Sequence, residues 1–504
     1  MTARQPETNP AAYNASREVA RGVLWAVLMR WAMRFIGLAS TLILARLLSP
    51  EDFGVVAMGM LLVHFLFELT DFGASAHLIR AKEADRAQCD TAWTFMLLQR
   101  LFTCLALLAL ARPAAGYFGE PRVVSVMYAL ALATFIGGFE NIGPTLIRRE
   151  LKFQLDFRFN IYKKLLVFLA TVGSALYFRN YWALAIGHLA GTTAGVLLSY
   201  VIHPYRPSWS LAAAPEYLRF GLSIIPLRLA TTLRETADRF LVGGLGNTST
   251  MGSFSVSRSL ATLFTQEIVQ PMGRGLFPNY ARLASDRAQL SAVYRQVLGL
   301  VSFLCIPIGV GMSATAPDMV RVLLGPQWAF AGALIEYLAI GAALYAISHT
   351  MNNQILVATG RERAAAVLAW VRVCVTLPIL FLGLTQGDVL GLAKATIVAP
   401  VVCLPLIYSE TRRAVDLPLL ALANLWWRPL AGGLAMYVAI SMLHPAGLQL
   451  AIARLACDVA VGVSAYAGTV LVLWIASGRP EGAERVILKL LGKYPKLLQS
   501  RART

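Results

Sequence analysis

Apolar runs of about 20 residues recur from Val23 to Ala476, broken only by short polar connections. A run of that length crosses the roughly 30 Å hydrocarbon core of a bilayer as a helix. No water reaches that core to satisfy backbone N–H and C=O groups, so each crossing must hydrogen-bond within itself. Composition agrees: 57% of the 504 residues are hydrophobic and only 14% are charged, against about 25% charged in soluble domains. The sequence therefore predicts an all-α polytopic membrane protein. About fourteen transmembrane helices are expected, near 21–47, 52–79, 91–111, 122–146, 159–178, 181–202, 217–243, 251–273, 293–313, 329–357, 364–383, 389–408, 420–443 and 451–476.

The net charge of +18 would suit a nucleic-acid partner, but its placement points to a membrane instead. Alternate connections are basic, carrying Arg80, Lys82 and Arg86, then Arg148, Arg149, Lys152 and Arg158, and later Arg274, Arg282 and Arg287. The intervening ones are short and almost free of cations: SPED (49–52), GNTST (246–250), TQGD (385–388) and HPAG (444–447). Basic connections stay in the cytoplasm, so both termini are expected there. The first 20 residues are polar and do not resemble a cleaved signal peptide. The six cysteines are scattered without a metal-ligand spacing, so neither a disulfide nor a metal is expected.

The tetrapeptide DRAQ stands at 85–88 and again at 286–289, an offset of 201. Gly22 and Gly221, Gly54 and Gly252, and Gly73 and Gly273 keep nearly the same offset, at 199, 198 and 200. A shared register of this kind marks an internal repeat. Six spans per copy is an even number, so the two copies run parallel, a transporter architecture with the substrate near the membrane midplane. The expected organisation is a cytoplasmic tail (1–20), two six-helix bundles (21–205 and 206–415), two appended helices (416–478) and a basic tail (479–504). That tail is amphipathic and is expected to lie on anionic lipid.

The residues that carry the repeat also carry a family likeness. LARLLSPEDFGVVAM (44–58), LTDFGASAHLIR (69–80) and TADRFLVGGLGNTSTMGSFSVSRSLA (236–261) resemble polysaccharide exporters of the MOP flippase superfamily, the Wzx-type oligosaccharide-lipid flippases. In the last segment the matching features are Asp238, Gly243 with Gly246, and Gly252 followed by Phe254. The resemblance implies two six-helix bundles splayed in a V with two extra C-terminal helices. It implies a lipid-linked oligosaccharide as cargo, carried on undecaprenyl pyrophosphate across a bacterial inner membrane. It also suggests a polysaccharide polymerase or co-polymerase as a candidate partner.

Charge inside the spans is the other informative feature. LRETADRF (233–240) places Arg234, Glu235, Asp238 and Arg239 in an apolar segment. Helical spacing would pair Arg234 with Asp238 and Glu235 with Arg239, either as a structural anchor or as acids holding cations toward a cleft. Arg30 and Arg34 lie one turn apart around Trp31, Arg228 is the repeat counterpart of Arg30, and Arg100, Lys163, Lys164, Arg258 and Arg372 lie in other spans. A mid-bilayer charge costs about 2.5–3.5 kcal/mol on insertion scales, so a shared aqueous cavity accommodates such a set better than lipid does. Arginine's planar fork fits the oxygens of a pyrophosphate. Arg30, Arg34, Arg100, Arg228, Arg234 and Arg239 are therefore the candidate substrate-binding cations.

His64, Glu68 and Asp71 fall on one face of the second span. With Glu235 and Asp238 they are candidates for ion coupling or charge relay, the plain alternative being that Asp71 caps its helix or pairs with an arginine. Glu140, Glu267 and Glu336 are further acids in spans, and Glu140 precedes an Asn141–Gly143–Pro144 break. No phosphate-binding loop or catalytic constellation is visible, so no cofactor and no enzymatic activity are expected. The alternatives are another MOP-type transporter, such as a lipid II flippase or a multidrug exporter, and a polysaccharide polymerase or ligase. An arginine-rich interior disfavours cationic drugs. A polymerase or ligase needs a catalytic periplasmic loop, and the longest outward connection, about 314–328, holds only Asp318 and Arg321.

Overall fold

The SPED connection shows how the sequence starts its helices. In a computed structural model of the chain, Ser49 Oγ accepts the Asp52 N–H at 3.2 Å, and Asp52 Oδ2 accepts the Ser49 N–H at 3.0 Å. This reciprocal capping satisfies donors that a helix start leaves open, with Pro50 in the first turn where its missing N–H does no harm. The other carboxylate oxygen of Asp52 accepts the Tyr181 N–H at 2.9 Å, tying two connections together. The repeated DRAQ has a local physical meaning as well. Asp85 accepts the Gln88 N–H at 2.7 Å and Asp286 accepts the Gln289 N–H at 3.0 Å. Each opens one of the longest helices, and such a cap is worth about 1 kcal/mol.

The structure describes residues 10–81, 84–415, 418–443, 450–480 and 482–487. Lys82, the HPAG connection, the first nine residues of the N-terminal tail and the basic tail from 488 lie outside them. Every described element is helical: α1 (Pro10–Leu47), α2 (Pro50–Thr70), α3 (Ala74–Arg80), α4 (Arg86–Phe118), α5 (Arg122–Gly137), α6 (Gly143–Arg149), α7 (Phe153–Phe178), α8 (Trp182–Ile202), α9 (Ala214–Leu245), α10 (Thr248–Leu283), α11 (Arg287–Leu323), α12 (Ala329–Tyr345), α13 (Met351–Ala358), α14 (Glu362–Ala414), α15 (Leu419–Leu443) and α16 (Ala451–Ala476). A π-helical turn, Ala346–Thr350, links α12 to α13.

Helix occupies most of every expected span. Two spans are interrupted: 52–79 breaks at Asp71–Gly73 between α2 and α3, and 122–146 breaks after Gly137. Two others run together in α14, where Gly387 and Asp388 leave helical geometry at the TQGD turn. Among the described residues nine helices have the length and hydropathy to cross a bilayer. The charged helix α9 is not one of them.

The chain divides into two compact units, Met1–Thr232 with Asn247–Ser249 and Leu233–Gly246 with Thr250–Thr504. The division falls within α9. In the first unit the pairing of α7 with α8 rests on a glycine stripe. Gly187, Gly191 and Gly195 recur every fourth residue of α8, and a Cβ on each would overlap Thr171, Val167 and Lys163, which recur every fourth residue of α7. Lipid tails are as apolar as the helices, so association depends on such close backbone approach. In the second unit Tyr294 and Asn352 hydrogen-bond inside an apolar cluster that includes Leu298, Val301 and Ile355. Thr411 donates to the same Asn352 oxygen at 2.9 Å.

Candidate functional site

The first unit gathers charge around the break after α2. Asp71 caps α2, and its carboxylate accepts the Gly73 N–H at 2.7 Å. Gly73 takes φ +69, a region that favours glycine, and a Cβ there would stand 2.9 Å from both Phe220 and Ile224 of α9. This contact seats the first half of α9 against the break and presents Arg228. The Arg228 guanidinium is ion-paired with the Asp71 carboxylate, donates to the Asp71 carbonyl at 3.2 Å, and lies 3.8 Å from Glu68. Both acids of the expected face thus converge on one cation. His64, one turn earlier, makes no hydrogen bond or ion pair among the described residues.

Deeper in the same unit Arg100 lies over the Phe67 ring, 4.5 Å from its centroid, and is in electrostatic contact with Glu140 and Asp71. Lys163, whose stem lies across Gly195, reaches to 3.8 Å from Glu140. His188 is within the field of Arg100 and Lys163. Arg100, Lys163 and Arg228 therefore face Glu68, Asp71 and Glu140, a balanced set. The break beside Glu140 is pinned: Asn141 donates its N–H to Ser199 Oγ at 2.9 Å and its amide to the Tyr205 carbonyl at 2.6 Å. Arg30 and Arg34 stand one turn apart on α1. Arg30 has no ion pair among the described residues.

The second unit holds LRETADRF, and here the pairing differs from the helical-spacing expectation. Asp238, 2% exposed, is ion-paired with Arg258 of α10 and accepts the Arg239 N–H at 2.8 Å. Arg234 turns away to Tyr345 at the end of α12, donating to its hydroxyl and lying 4.2 Å from its ring centroid. Glu235 pairs with Arg234 at 3.3 Å, not with Arg239. The reason is packing. Helical spacing brings Asp238 within reach of Arg234, but α10 and α12 offer each side chain a partner across the helix interface.

Arg239 and Arg258 both donate to the Glu235 carbonyl, at 3.2 and 3.4 Å. Arg372 of α14 is buried and lies in the field of Tyr345 and Arg234. Four cations, Arg234, Arg239, Arg258 and Arg372, thus meet two acids, Glu235 and Asp238. The Nε donors of Arg239 and Arg372 are buried and have no hydrogen-bond partner among the described residues. A buried orphan donor is uncommon and costly, and a hydrogen-bond acceptor such as an anion's oxygen would satisfy it. Sequence reasoning missed Tyr345 because it ends an ordinary apolar run. The π-helical turn that follows it, a feature common at functional sites, has no sequence signature here.

The comparisons with known proteins agree with this fold. The chain is 23% identical over 331 residues to the succinoglycan biosynthesis transport protein ExoT of Rhizobium meliloti (strain 1021), covering 65% of this chain and 67% of that protein. It is 20% identical over 343 residues to the lipopolysaccharide biosynthesis protein WzxC of Escherichia coli (strain K12), covering 66% and 69%. Among solved structures it superposes on the lipid II flippase MurJ in an inward closed conformation, with a TM-score of 0.73, 12% identity, and coverage of 91% of this chain and 100% of that one. An inward-facing MATE-family multidrug resistance transporter of the MOP superfamily gives 0.59 and 15% identity, with coverage of 76% and 95%. Residues 43–332, more than half of the chain, match the sequence model of a family described as polysaccharide biosynthesis protein. The chain belongs to that family and has the fold of the MOP superfamily.

Proposed function

We propose that this protein moves undecaprenyl-pyrophosphate-linked oligosaccharide repeat units from the inner to the outer leaflet of a bacterial inner membrane. The units would serve exopolysaccharide or lipopolysaccharide synthesis, by alternating access, with both termini in the cytoplasm. The observation that carries the reading is the cationic surplus around LRETADRF, with two buried guanidinium Nε donors left unpartnered among the described residues. A pyrophosphate offers the charge and the several acceptor oxygens that such a group requires. The relatives are named for succinoglycan transport and lipopolysaccharide biosynthesis, which supports a lipid-linked saccharide over a drug as cargo.

The first unit fits a coupling role in the same cycle. Glu68 and Asp71 share one arginine, so an arriving proton or cation competes directly with Arg228 for the carboxylates. Arg100, Arg30 and Arg34 remain candidate cargo contacts. Deleting the gene tests the function. Surface or secreted polysaccharide should disappear while lipid-linked repeat units accumulate, and a cell that fails to assemble the units at all would place the protein before translocation.

A further inference from the structure

Beyond the translocation reading, the second unit carries an apolar pocket beside the turn that holds Tyr345. Four walls meet there: α11, the end of α12 with its π-helical turn, the second half of α14, and α15. Three of these helices contain proline next to the space, Pro307 in α11, Pro400 and Pro405 in α14, and Pro429 in α15. Proline removes a helical hydrogen bond and kinks the helix, and the π turn makes the fourth wall irregular as well. Helices interrupted in this way do not interlock as regular ridges and grooves do, and a space of about 160 Å³ remains.

The inner wall is buried and apolar. Ile306 and Ile347 are each 5% exposed and Pro400 is buried. The hydroxyl in the wall, that of Ser348, donates back to the Leu344 carbonyl at 2.7 Å. The rim is different. Val401 and Leu430 are 48% and 52% exposed, and Val398, Val402 and Leu434 beside them are exposed as well. In a chain that crosses the bilayer, an apolar surface of this kind faces lipid tails. The pocket therefore opens sideways into hydrocarbon.

We propose that the pocket takes a stretch of acyl chain from a phospholipid of the surrounding bilayer, inserted between Val401 and Leu430 against Ile306 and Ile347. An apolar cavity of about 150 Å³ stays dry and takes a molecule the size of benzene. Left empty, the wall forfeits dispersion contacts on one side, and the hydrocarbon within reach of the rim is the bilayer's. The space is well below the roughly 300–1,000 Å³ of a pocket for a whole small molecule. It takes part of a chain, and a saccharide or phosphate finds no polar partner there. Leu344, Ile347 and Ser348 face the pocket, while Tyr345 leaves the same stretch toward Arg234. The chain thus braces the turn on a face that does not carry Tyr345, and its identity is independent of the cargo.

The test uses the full chain in proteoliposomes containing phosphatidylcholine with a photoactivatable diazirine in its acyl chain, and tandem mass spectrometry to map the adducts. Lipid outside the pocket reaches only exposed positions such as Val398 and Leu434. Adducts on Ile306 and Ile347 are expected in the wild type. Leu430→Trp and Val401→Phe enlarge side chains at the exposed rim and should lose those adducts. Both should keep the adducts at Val398 and Leu434, which report folded, inserted protein. Labelling confined to exposed positions in the wild type, or adducts on Ile306 and Ile347 that persist in both variants, would overturn the site. Displacement of those adducts by unlabelled undecaprenyl phosphate, but not by the same amount of unlabelled phosphatidylcholine, would overturn the assignment to an acyl chain.

Discussion

Asp238 of α9 closes its ion pair with Arg258 on the neighbouring α10, and not with Arg234 one turn away on its own helix. The carboxylate is 2% exposed, and removing one partner of a buried pair costs about 3–5 kcal/mol because the other charge is left uncompensated. Asp238→Asn should therefore lower the yield of folded, membrane-inserted protein. Adding Arg258→Gln should recover more of that yield than adding Arg234→Gln. Size-exclusion profiles of a fluorescently tagged chain read this directly, and equal rescue by both second changes would show that the pair is not specific.

Arg234 has a different partner, stacked on Tyr345 and hydrogen-bonded to its hydroxyl. Lost charge-assisted contacts are worth roughly 1.5–3 kcal/mol each, about tenfold or more in rate. Arg234→Ala should thus cut polymer export about tenfold or more at normal protein levels. Arg234→Lys should restore only part of it, since a point charge replaces the planar fork. Tyr345→Phe keeps the ring and should cost less than Arg234→Ala. Polymer yield per unit of inserted protein is the measurement.

How much of this could be read from the sequence differs by level. The length of the apolar runs located the helices, because a membrane span must close its own backbone hydrogen bonds. DRAQ and SPED were visible as landmarks, and the structure shows them to be helix caps. The charges of LRETADRF were conspicuous because they are expensive in an apolar segment. Their partners were not legible, since Arg258 and Tyr345 lie 20 and 111 residues from the side chains they meet. Helical spacing grouped Glu68 and Asp71, and both lie at Arg228, with Asp71 capping its helix and pairing with an arginine as the plain alternative had it. His64 shared their face without sharing their partner, because Arg228 docks at the helix end. His188 was missed, for a lone histidine in an apolar run carries no pattern.

The α7–α8 contact predicts a packing defect. Gly191→Leu would drive a branched side chain into Val167 and push the helices apart. It should reduce inserted protein strongly, and Gly187→Leu should do the same against Thr171. Gly116→Ala has open space around its Cβ and should leave protein levels unchanged. Quantitative blotting of membrane fractions compares the three.

His203, in the connection after α8, gives a pH dependence. Its Nδ1 accepts the Tyr205 N–H at 3.2 Å, and burial holds its pKa below the ordinary value, with Lys152 and Arg206 acting in the same direction and Glu150 opposing. The unfolded chain then binds a proton at higher pH than the folded one does. Stability contributed by the neutral ring is present above about pH 6.5 and is lost as pH falls from there toward the folded-state value. Melting temperature should decline across that window in the wild type, and the decline should be shallower in His203→Gln. Identical slopes would remove His203 from the account.

Translocation can be followed with the purified protein alone. Purified protein reconstituted into proteoliposomes would be given an undecaprenyl-pyrophosphate-linked repeat unit, and exposure of the saccharide on the opposite leaflet would be followed with an impermeant glycan-cleaving enzyme. Exposure should rise with time for the wild type and be about tenfold or more slower with Arg234→Ala, at equal amounts of reconstituted protein. Wild-type vesicles that expose the saccharide no faster than protein-free vesicles, in the presence of an ion gradient of either direction, would contradict the proposed translocation.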